Sequence, residues 1–479
     1  MSLKQTTGIV IASIVLLAGA ATAQTSSVQT KQYEDGGFYE GTFRNGLQHG
    51  TGTYRLPNGY EYSGDWSDGE IRGNGIAKFP NGSIYEGEFA AGKPEGNGKI
   101  TYADGGSYEG SWVDGKINGA GIARYANDIT FKGNFKNAMH HGAGILTSTT
   151  GYKYDGEWQN GLKDGAGTIT YPDGAVYVGA LVADKRSGTG TLTMPSGLTY
   201  EGDWDAGKIT GMGTLTQPNG DIYVGNLVEG KRNGAGRVTY GNGDVYVGAF
   251  AADRRNGQGT FTGTDGYKYV GAWKDGMIEG MGVVTYPDGS VYEGSFKNDL
   301  ADGTGKITYP DGSTYEGDWV AGVIDGNGRA AYANGLVYEG AFVNAKNQGF
   351  GIMTFGDGYR YEGDWSDGKR NGQGTATYAD GTTYTGGFLD GQRSGTGSIA
   401  MADGFKYEGA WLDGEIHGAG TATYANGDIY EGNFLSGRRQ GEGTMTYSSG
   451  VTATGNWVEG DLDQDTAVTT QPDASNDTQ

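Results

Sequence analysis

Residues 361–383 have the sequence YEGDWSDGKRNGQGTATYADGTT, and this 23-residue unit decides the fold. The same pattern begins at Tyr39 and recurs nineteen times at a constant spacing, without insertion or deletion. Its first position is Tyr in seventeen copies, and its third is Gly in all nineteen. All nine tryptophans of the chain occupy the fifth position, where the other copies have Phe or Leu. Such a strict period indicates an array of repeats rather than a set of globular domains.

Each unit contains two segments of alternating character. In residues 85–89 (YEGEF), aromatic residues and glycine alternate with glutamates, and residues 98–102 (GKITY) form a second alternating run. Alternation with period two is typical of half-buried strands. Asp-Gly or Asn-Gly, as at Asp104-Gly105, lies between apolar runs and predicts a two-residue hairpin turn in which both residues have positive φ. Residues 90–95 are predicted to form the other connection, a longer polar turn. Each unit is therefore predicted to be a β-hairpin.

The repeated aromatic and glycine positions are the candidate structural core. We expect stacked hairpins to share one aromatic face, with the glycines making room for rings of the neighbouring hairpin. The fold class is all-β, an elongated single-layer antiparallel sheet of about nineteen hairpins that would extend roughly 180 Å if straight. The representative core residues are Tyr85, Gly87, Phe89, Gly96, Gly98, Tyr108, Gly110, Trp112, Tyr361, Gly363, Trp365, Gly372 and Gly374.

Composition limits the function classes. The 479 residues include 95 glycines and no cysteine, so disulfides and thiolate metal sites are excluded. The formal net charge of −22 favours solubility and repels nucleic acid and anionic lipid at long range. Nucleic acid is therefore not an expected partner.

The chain divides into four segments. Residues 1–23 resemble a signal peptide, with Lys4, an apolar stretch over residues 8–20 and the cleavage pattern Ala21-Thr22-Ala23. Residues 24–38 are a polar leader, residues 39–460 are the repeat array, and residues 461–479 are predicted to be a disordered acidic tail. The protein is expected to be exported to the periplasm or the exterior of a bacterium.

No unique constellation of catalytic groups is evident, so no catalytic, cofactor-binding or metal-binding residue is assigned. The neighbours His140 and His141 lack accompanying carboxylate or thiol ligands, and we interpret them as part of a solvated turn. No cofactor is expected.

Pairs of cationic residues recur at the predicted longer turn, between the two strands of the 23-residue unit. These pairs are candidates for contacts with lipid headgroups or an acidic partner, and ordinary surface charge balance is the alternative. The residues are Lys185, Arg186, Lys231, Arg232, Arg254, Arg255, Lys369, Arg370, Arg438 and Arg439.

Tyr361-Glu362-Gly363-Asp364-Trp365, followed by Gly372 and Gly374, resembles the MORN (membrane occupation and recognition nexus) repeat. The resemblance covers residues 39–460 and implies consecutive hairpins with roles in scaffolding, dimerisation or membrane contact. We therefore expect a non-enzymatic scaffold of the cell envelope or exterior that binds a protein partner, which the sequence does not identify. Peripheral membrane binding through the basic turns is the alternative. Self-association through edge strands is also open, and similarity to phosphatidylinositol phosphate kinases would reflect the repeats only.

Overall fold

A computed structural model describes residues 27–471 of the chain. Within this range the secondary structure consists of strands and turns, with no helix, as the sequence predicts. The chain forms two compact units, Met1–Lys208 and Ile209–Gln479. The predicted signal peptide, residues 1–23, lies outside the described residues.

In the first unit, each strand pairs antiparallel with the next strand along the chain. Its strands are β1 (Gln29–Gln32), β2 (Phe38–Arg44), β3 (Leu47–Arg55), β4 (Glu61–Ser67), β5 (Glu70–Lys78), β6 (Ile84–Ala90), β7 (Lys93–Thr101), β8 (Ser107–Val113), β9 (Lys116–Arg124), β10 (Ile129–Lys136), β11 (Met139–Ser148), β12 (Lys153–Gln159), β13 (Leu162–Thr170), β14 (Val176–Val182), β15 (Lys185–Thr193) and β16 (Thr199–Asp205).

The second unit repeats this antiparallel pairing in chain order as far as its last long strand. Its strands are β17 (Lys208–Thr216), β18 (Ile222–Val228), β19 (Lys231–Thr239), β20 (Val245–Ala251), β21 (Arg254–Thr262), β22 (Lys268–Lys274), β23 (Met277–Thr285), β24 (Val291–Lys297), β25 (Leu300–Thr308), β26 (Thr314–Val320), β27 (Val323–Ala331), β28 (Val337–Val343), β29 (Lys346–Thr354), β30 (Arg360–Ser366), β31 (Lys369–Thr377), β32 (Thr383–Leu389), β33 (Gln392–Ala400), β34 (Lys406–Leu412), β35 (Glu415–Thr423), β36 (Ile429–Leu435), β37 (Arg438–Thr446), β38 (Thr452–Val458), β39 (Asp461–Leu462) and β40 (Val468–Thr470).

In each repeat, the short turn lies where the sequence predicts the longer connection, and the longer loop lies where it predicts the short turn. The short turn joins β6 to β7 through Ala91 and Gly92, whose φ angles are 48° and 75°. This two-residue turn has positive φ at both positions, which matches the twist of the flanking strands. Asp104-Gly105 lies instead in a five-residue loop, where Gly105 has a φ of 89° and its amide donates to the Tyr102 carbonyl at 3.0 Å. The predicted two-residue Asp-Gly turn is therefore wrong, because the loop needs positive φ only at its glycine.

A row of paired glycines runs across the strands within each of the two compact units. Gly87 of β6 lies opposite Gly98 of β7, which lies opposite Gly110 of β8. The Tyr85 ring covers Gly87 and Gly98, and its hydroxyl donates to the Glu88 carbonyl at 2.9 Å. A Cβ atom on Gly98 would overlap this ring. The glycines thus make room for a ring of their own hairpin, and the expectation that the ring comes from the neighbouring hairpin is wrong.

The two glycines of each Gly-x-Gly pair have different functions. Gly98 belongs to the paired row, whereas Gly96 has a φ of 69° and lies where the register between β6 and β7 shifts. That left-handed conformation favours glycine and marks a β-bulge. The repeat therefore needs one glycine for space and the other for backbone conformation.

Aromatic rings form a column above the glycine row. Tyr85 is fully buried and contacts Phe89 of its own repeat and Trp112 of the next, each edge-to-face with centroids 5.0 Å apart. The Trp112 indole donates from Nε1 to the Gly98 carbonyl of the preceding repeat at 3.1 Å. Each of the nine tryptophans makes the equivalent bond. Adjacent repeats are thus joined by ring contacts and, at every tryptophan, by a directional hydrogen bond.

The same arrangement holds at the other representative core residues. Tyr108 and Tyr361 are buried, and their hydroxyls donate to backbone carbonyls three residues later. Gly363 pairs with Gly374 in the glycine row, and Gly372 has a positive φ at the bulge. Trp365 donates to the Gly351 carbonyl at 3.2 Å.

Short strands border the array at both ends of the described chain. The leader contributes β1, which pairs with β2. At the other end β39 and β40 pair with β38, so the predicted disorder of the tail is wrong for residues 461–471. Backbone groups at the edge of β38 offer hydrogen bonds that need no apolar side chains. Residues 472–479 of the predicted tail lie outside the described residues.

The turn geometry predicts that Ala345→Gly stabilises the chain. Ala345 has a φ of 60° at a turn position where most other copies have glycine. A left-handed alanine costs about 1–2 kcal/mol, and removing this strain outweighs the extra backbone entropy of glycine. We expect a net gain of about 0.5–1 kcal/mol in urea unfolding followed by tryptophan fluorescence. Ala330→Gly is the matched control, because Ala330 lies in β27 and this substitution should destabilise the chain.

Candidate interaction surfaces

The sheet of each unit has two chemically different faces. Tyr85, Gly87 and Phe89 lie on the ring face, and the intervening Glu86 lies on the opposite face, which we call the outer face. Glu86 is exposed and lies opposite Lys99 across the strand pair. The ring face is therefore occupied by contacts within the sheet, while the outer face presents its side chains to solvent.

The two residues of each predicted cation pair point to opposite faces of the sheet, because side chains alternate along a strand. The second residue lies half-buried on the ring face, with its guanidinium over a ring of the next repeat. The distances to the ring centroids are 4.0 Å for Arg186 over Trp204, 5.1 Å for Arg232 over Phe250, 4.0 Å for Arg255 over Trp273, 5.4 Å for Arg370 over Phe388 and 4.3 Å for Arg439 over Trp457. These arginines are part of the packing and do not form an exposed basic edge with their neighbours.

The first residue of each pair is exposed, and several of these residues are neutralised. Arg254 pairs with Asp275 at 3.7 Å, Lys369 with Asp390 at 3.1 Å and Arg438 with Glu459 at 3.6 Å. Lys185 and Lys231 are also exposed, and the equivalent turn position of the next repeat is alanine in both cases. The cations predicted to contact headgroups are therefore mostly engaged within the sheet.

The residue that faces the fifth position across the hairpin differs between the Trp copies and the other copies. Where a copy has Trp, the position facing it in the second strand is usually Ile, as in Trp273 and Ile278. Where a copy has Phe or Leu, that position usually has a polar or cationic residue, such as Arg255, which reaches the next Trp. The pairing of copies over 46 residues is thus a packing pattern, in which an apolar residue usually faces Trp and a polar or cationic residue usually faces Phe or Leu.

His140 occupies the position that the stacking arginines take in other repeats. It lies in β11 and stacks on Phe131 with ring centroids 3.7 Å apart, and its Nε2 is 2.8 Å from the Tyr125 hydroxyl. Burial lowers the pKa of His140 to about 4. The interpretation of this histidine as part of a solvated turn is wrong, because the aromatic column extends over it.

A cleft of about 540 Å³ opens on the ring face of the second unit. Its lining includes Tyr359, Trp365, Arg370 and Tyr378. Arg370 donates to the Tyr359 hydroxyl and to the Gly391 carbonyl. The Arg370 guanidinium is therefore already bound by protein groups.

Within the described residues 27–471, no group of three or more His, Asp or Glu side chains could hold a metal ion. The same range contains no helix with the length and apolarity needed to span a membrane.

Arg255→Met and Arg254→Met form a matched pair of variants. We expect Arg255→Met to lower the free energy of unfolding by about 1 kcal/mol, because it removes a partly desolvated cation from the face of Trp273. Arg254→Met removes only an exposed ion pair and should cost less than about 0.5 kcal/mol. Urea unfolding and hydrogen exchange of β21 and β22 measure both. Equal losses for the two variants would contradict a stabilising role of the stacked guanidinium.

The half-buried His140 makes the stability of its repeat dependent on pH. An unfolded histidine titrates near 6.5, so between that pH and about 4 the unfolded state binds the proton more readily. We expect the protection of amides in β10 and β11 to be complete above pH 6.5 and to fall towards pH 4. His140→Gln should lose this part of the pH dependence. The repeat that begins at Tyr39 already has glutamine, Gln48, at the equivalent position. An unchanged profile in that variant would exclude His140 as the cause.

The model of the MORN repeat family matches eighteen consecutive segments of the chain. They are residues 39–59, 62–84, 85–107, 108–130, 131–151, 154–176, 177–199, 200–222, 223–245, 246–266, 269–291, 292–314, 315–337, 338–358, 361–383, 384–405, 407–429 and 430–452. The nineteenth copy, which starts at Ala453, lies beyond the last match and still forms β38.

Individual relatives are distant. Rat (Rattus norvegicus) Alsin is 44% identical over 50 residues, which is 9% of this chain and 3% of Alsin. Among solved structures, the TCP domain of Drosophila melanogaster SAS-4 in complex with a proline-rich motif of Ana2 is 13% identical, with a TM-score of 0.21, and covers 42% of this chain and 90% of that one. The TCP10 domain of Danio rerio CPAP in complex with a peptide of STIL is 15% identical, with a TM-score of 0.16, and covers 70% and 97%.

These structural scores are too low to support an argument about this chain. The family model, in contrast, matches most of residues 39–452, and the strands and glycine positions repeat with the same period. The chain therefore belongs to the MORN repeat family.

Proposed function

We propose that the protein is a non-catalytic repeat scaffold of the cell envelope or exterior that binds protein partners along its sheet. The observation that supports this most strongly is the difference between the two faces of the sheet. The tyrosines of seventeen copies and the glycines contact one another on the ring face, whereas the exposed outer-face positions differ in charge and size from copy to copy. A surface that varies along a constant framework is suited to binding different segments of partners at fixed intervals.

The predicted signal peptide supports the location in this proposal. The apolar stretch and the Ala21-Thr22-Ala23 pattern match a cleaved secretory signal. A chain without cysteine also needs no disulfide formation after export, since ring contacts and backbone pairing hold its repeats together.

Peripheral membrane binding through the basic turns has less support. Most of the cations that would contact headgroups stack on rings or pair with turn carboxylates. The net charge of −22 also opposes approach to an anionic surface. Flotation with vesicles containing phosphatidylserine should therefore recover little protein at physiological salt.

Cross-linking in intact cells, followed by mass spectrometry, tests the scaffold function. We expect the full-length chain to be processed after Ala23, to fractionate with the envelope or medium, and to cross-link reproducibly to a small set of proteins. A variant lacking residues 2–23 is the matched control and should lose those partners. Retention of the full-length chain in the cytoplasm, or ATP-dependent phosphoryl transfer by the purified protein, would contradict the proposal.

A further inference from the structure

Three consecutive repeats of the second unit have Val at the outer-face position that follows the first tyrosine. The position after the first tyrosine is Glu in ten copies, but it is Val224, Val247 and Val270 here. These valines are 45%, 46% and 44% exposed, and Met281 nearby is 63% exposed. Together with Val283, which lies opposite Val270, they form what we call the valine patch. An exposed apolar cluster of this kind on a strongly acidic protein is unusual for a merely solvated surface.

A single cation lies within the valine patch. Arg237 of β19 lies opposite Val224 on one side and Val247 on the other. Its side chain is exposed, and it forms no ion pair with any residue in the described part of the chain. The guanidinium is thus surrounded by apolar side chains and available to a carboxylate from outside.

Cations at the equivalent position elsewhere have a different environment. Each of three others in the array lies between two glutamates of the adjacent strands. They are Lys99 between Glu86 and Glu109, Lys306 between Glu293 and Glu316, and Arg329 between Glu316 and Glu339. The valine patch has the cation of this pattern without the flanking carboxylates.

The first unit contains one partial counterpart. Lys132 lies opposite Ile122 and Ile145, but the next residues along that row are Glu109 and Asp155. Along the valine patch the row continues instead through Thr260, Val270 and Val283 before Glu293 is reached. Only in the second unit is the cation placed within an extended row free of acidic residues, among the residues that the structure describes.

From this charge pattern we infer that the valine patch is a docking surface for a protein segment that presents apolar side chains and at least one carboxylate to Arg237. The inference rests on the proposed scaffold function and specifies the surface and the kind of partner. Burying the valines supplies the apolar contribution, and a carboxylate from the partner takes the place of the missing glutamates. A partner with a basic contact surface would be repelled by Arg237.

The dimensions of the patch limit the size of the segment. The distance from Val224 on β18 to Val283 on β23 spans five strand spacings, or about 24 Å. An α-helix of about 16 residues or an extended segment of about seven residues has this length. A short linear segment is therefore sufficient to cover the patch.

The test uses a displayed library of random 16-residue peptides selected on the purified mature chain. The counter-selection variant is Val224→Glu, Val247→Glu and Val270→Glu, which restores the residue found in ten other copies and should fold normally. Ser63→Glu, Thr385→Glu and Thr454→Glu form the matched control, because they add the same charge at equivalent positions outside the patch. Arg237→Gln isolates the contribution of the cation.

We expect enriched peptides to contain apolar residues with Asp or Glu. Their affinity should fall at least about tenfold in the valine-to-glutamate variant and about fivefold to tenfold in Arg237→Gln, and it should be unchanged in the matched control. Peptides that bind all variants equally, or enriched peptides without a carboxylate, would overturn the inference. Concentration-dependent dimerisation, or binding to phosphatidylcholine vesicles, that is lost only in the valine-to-glutamate variant would assign the patch to a second copy or to lipid, and would also overturn it.

Cross-linking in cells separates this inference from the proposed function. If the valine-to-glutamate variant retains all partners of the wild-type chain, the scaffold function stands and the docking surface is wrong. If the wild-type chain has no partners in the envelope, the scaffold function itself fails.

Discussion

The placement of one tyrosine ring over a pair of glycines is the interaction on which the rest of this structure depends. A single layer of sheet has no second layer to bury its apolar side chains, so the burial must come from within the layer. The Tyr85 ring achieves this by lying against the backbone of Gly87 and Gly98, where any Cβ atom would prevent the contact. Its hydroxyl remains neutral, since burial raises the pKa of Tyr85 to about 12, and it satisfies a backbone carbonyl. Each hairpin thus provides its own core.

The contacts between repeats are built on that arrangement. Each tyrosine ring makes edge-to-face contacts with an aromatic ring of its own repeat and with one of the next repeat. Where the ring of the next repeat is Trp, its indole nitrogen also donates to a glycine carbonyl of the preceding repeat. Arginines such as Arg255 cover the larger rings from above. Stability is then a sum of neighbouring contacts. The outer face adds only exposed contacts, such as the ion pair of Lys306 with Glu316 at 3.7 Å. The outer face is therefore available for binding, which is why the charge pattern around Arg237 is informative.

The strands and the core could be predicted from the sequence because they depend on period two and on invariant positions. The identity of the two turns could not, since Asp104-Gly105 has the composition of a two-residue turn, whereas Ala91 adopts positive φ only because the flanking strands require it. The ring that covers each glycine of the paired row could not be predicted either, because sequence spacing does not distinguish a ring of the same hairpin from a ring of the next hairpin. The cation pairs were visible as charges, but the stacking of Arg186 and its equivalents becomes apparent only when strand alternation is combined with the register.

A double-mutant cycle between Gly98 and Tyr85 tests the central interaction most directly. The free energy of local opening would be measured from hydrogen exchange of β6 and β7 amides in the wild type, Gly98→Ala, Tyr85→Ala and the double variant. If the ring needs the space over the glycine, Gly98→Ala costs about 1–3 kcal/mol alone and almost nothing once Tyr85 is alanine. The same cost for Gly98→Ala in both backgrounds would contradict the account, because the glycine would then be required for a reason other than the ring that covers it.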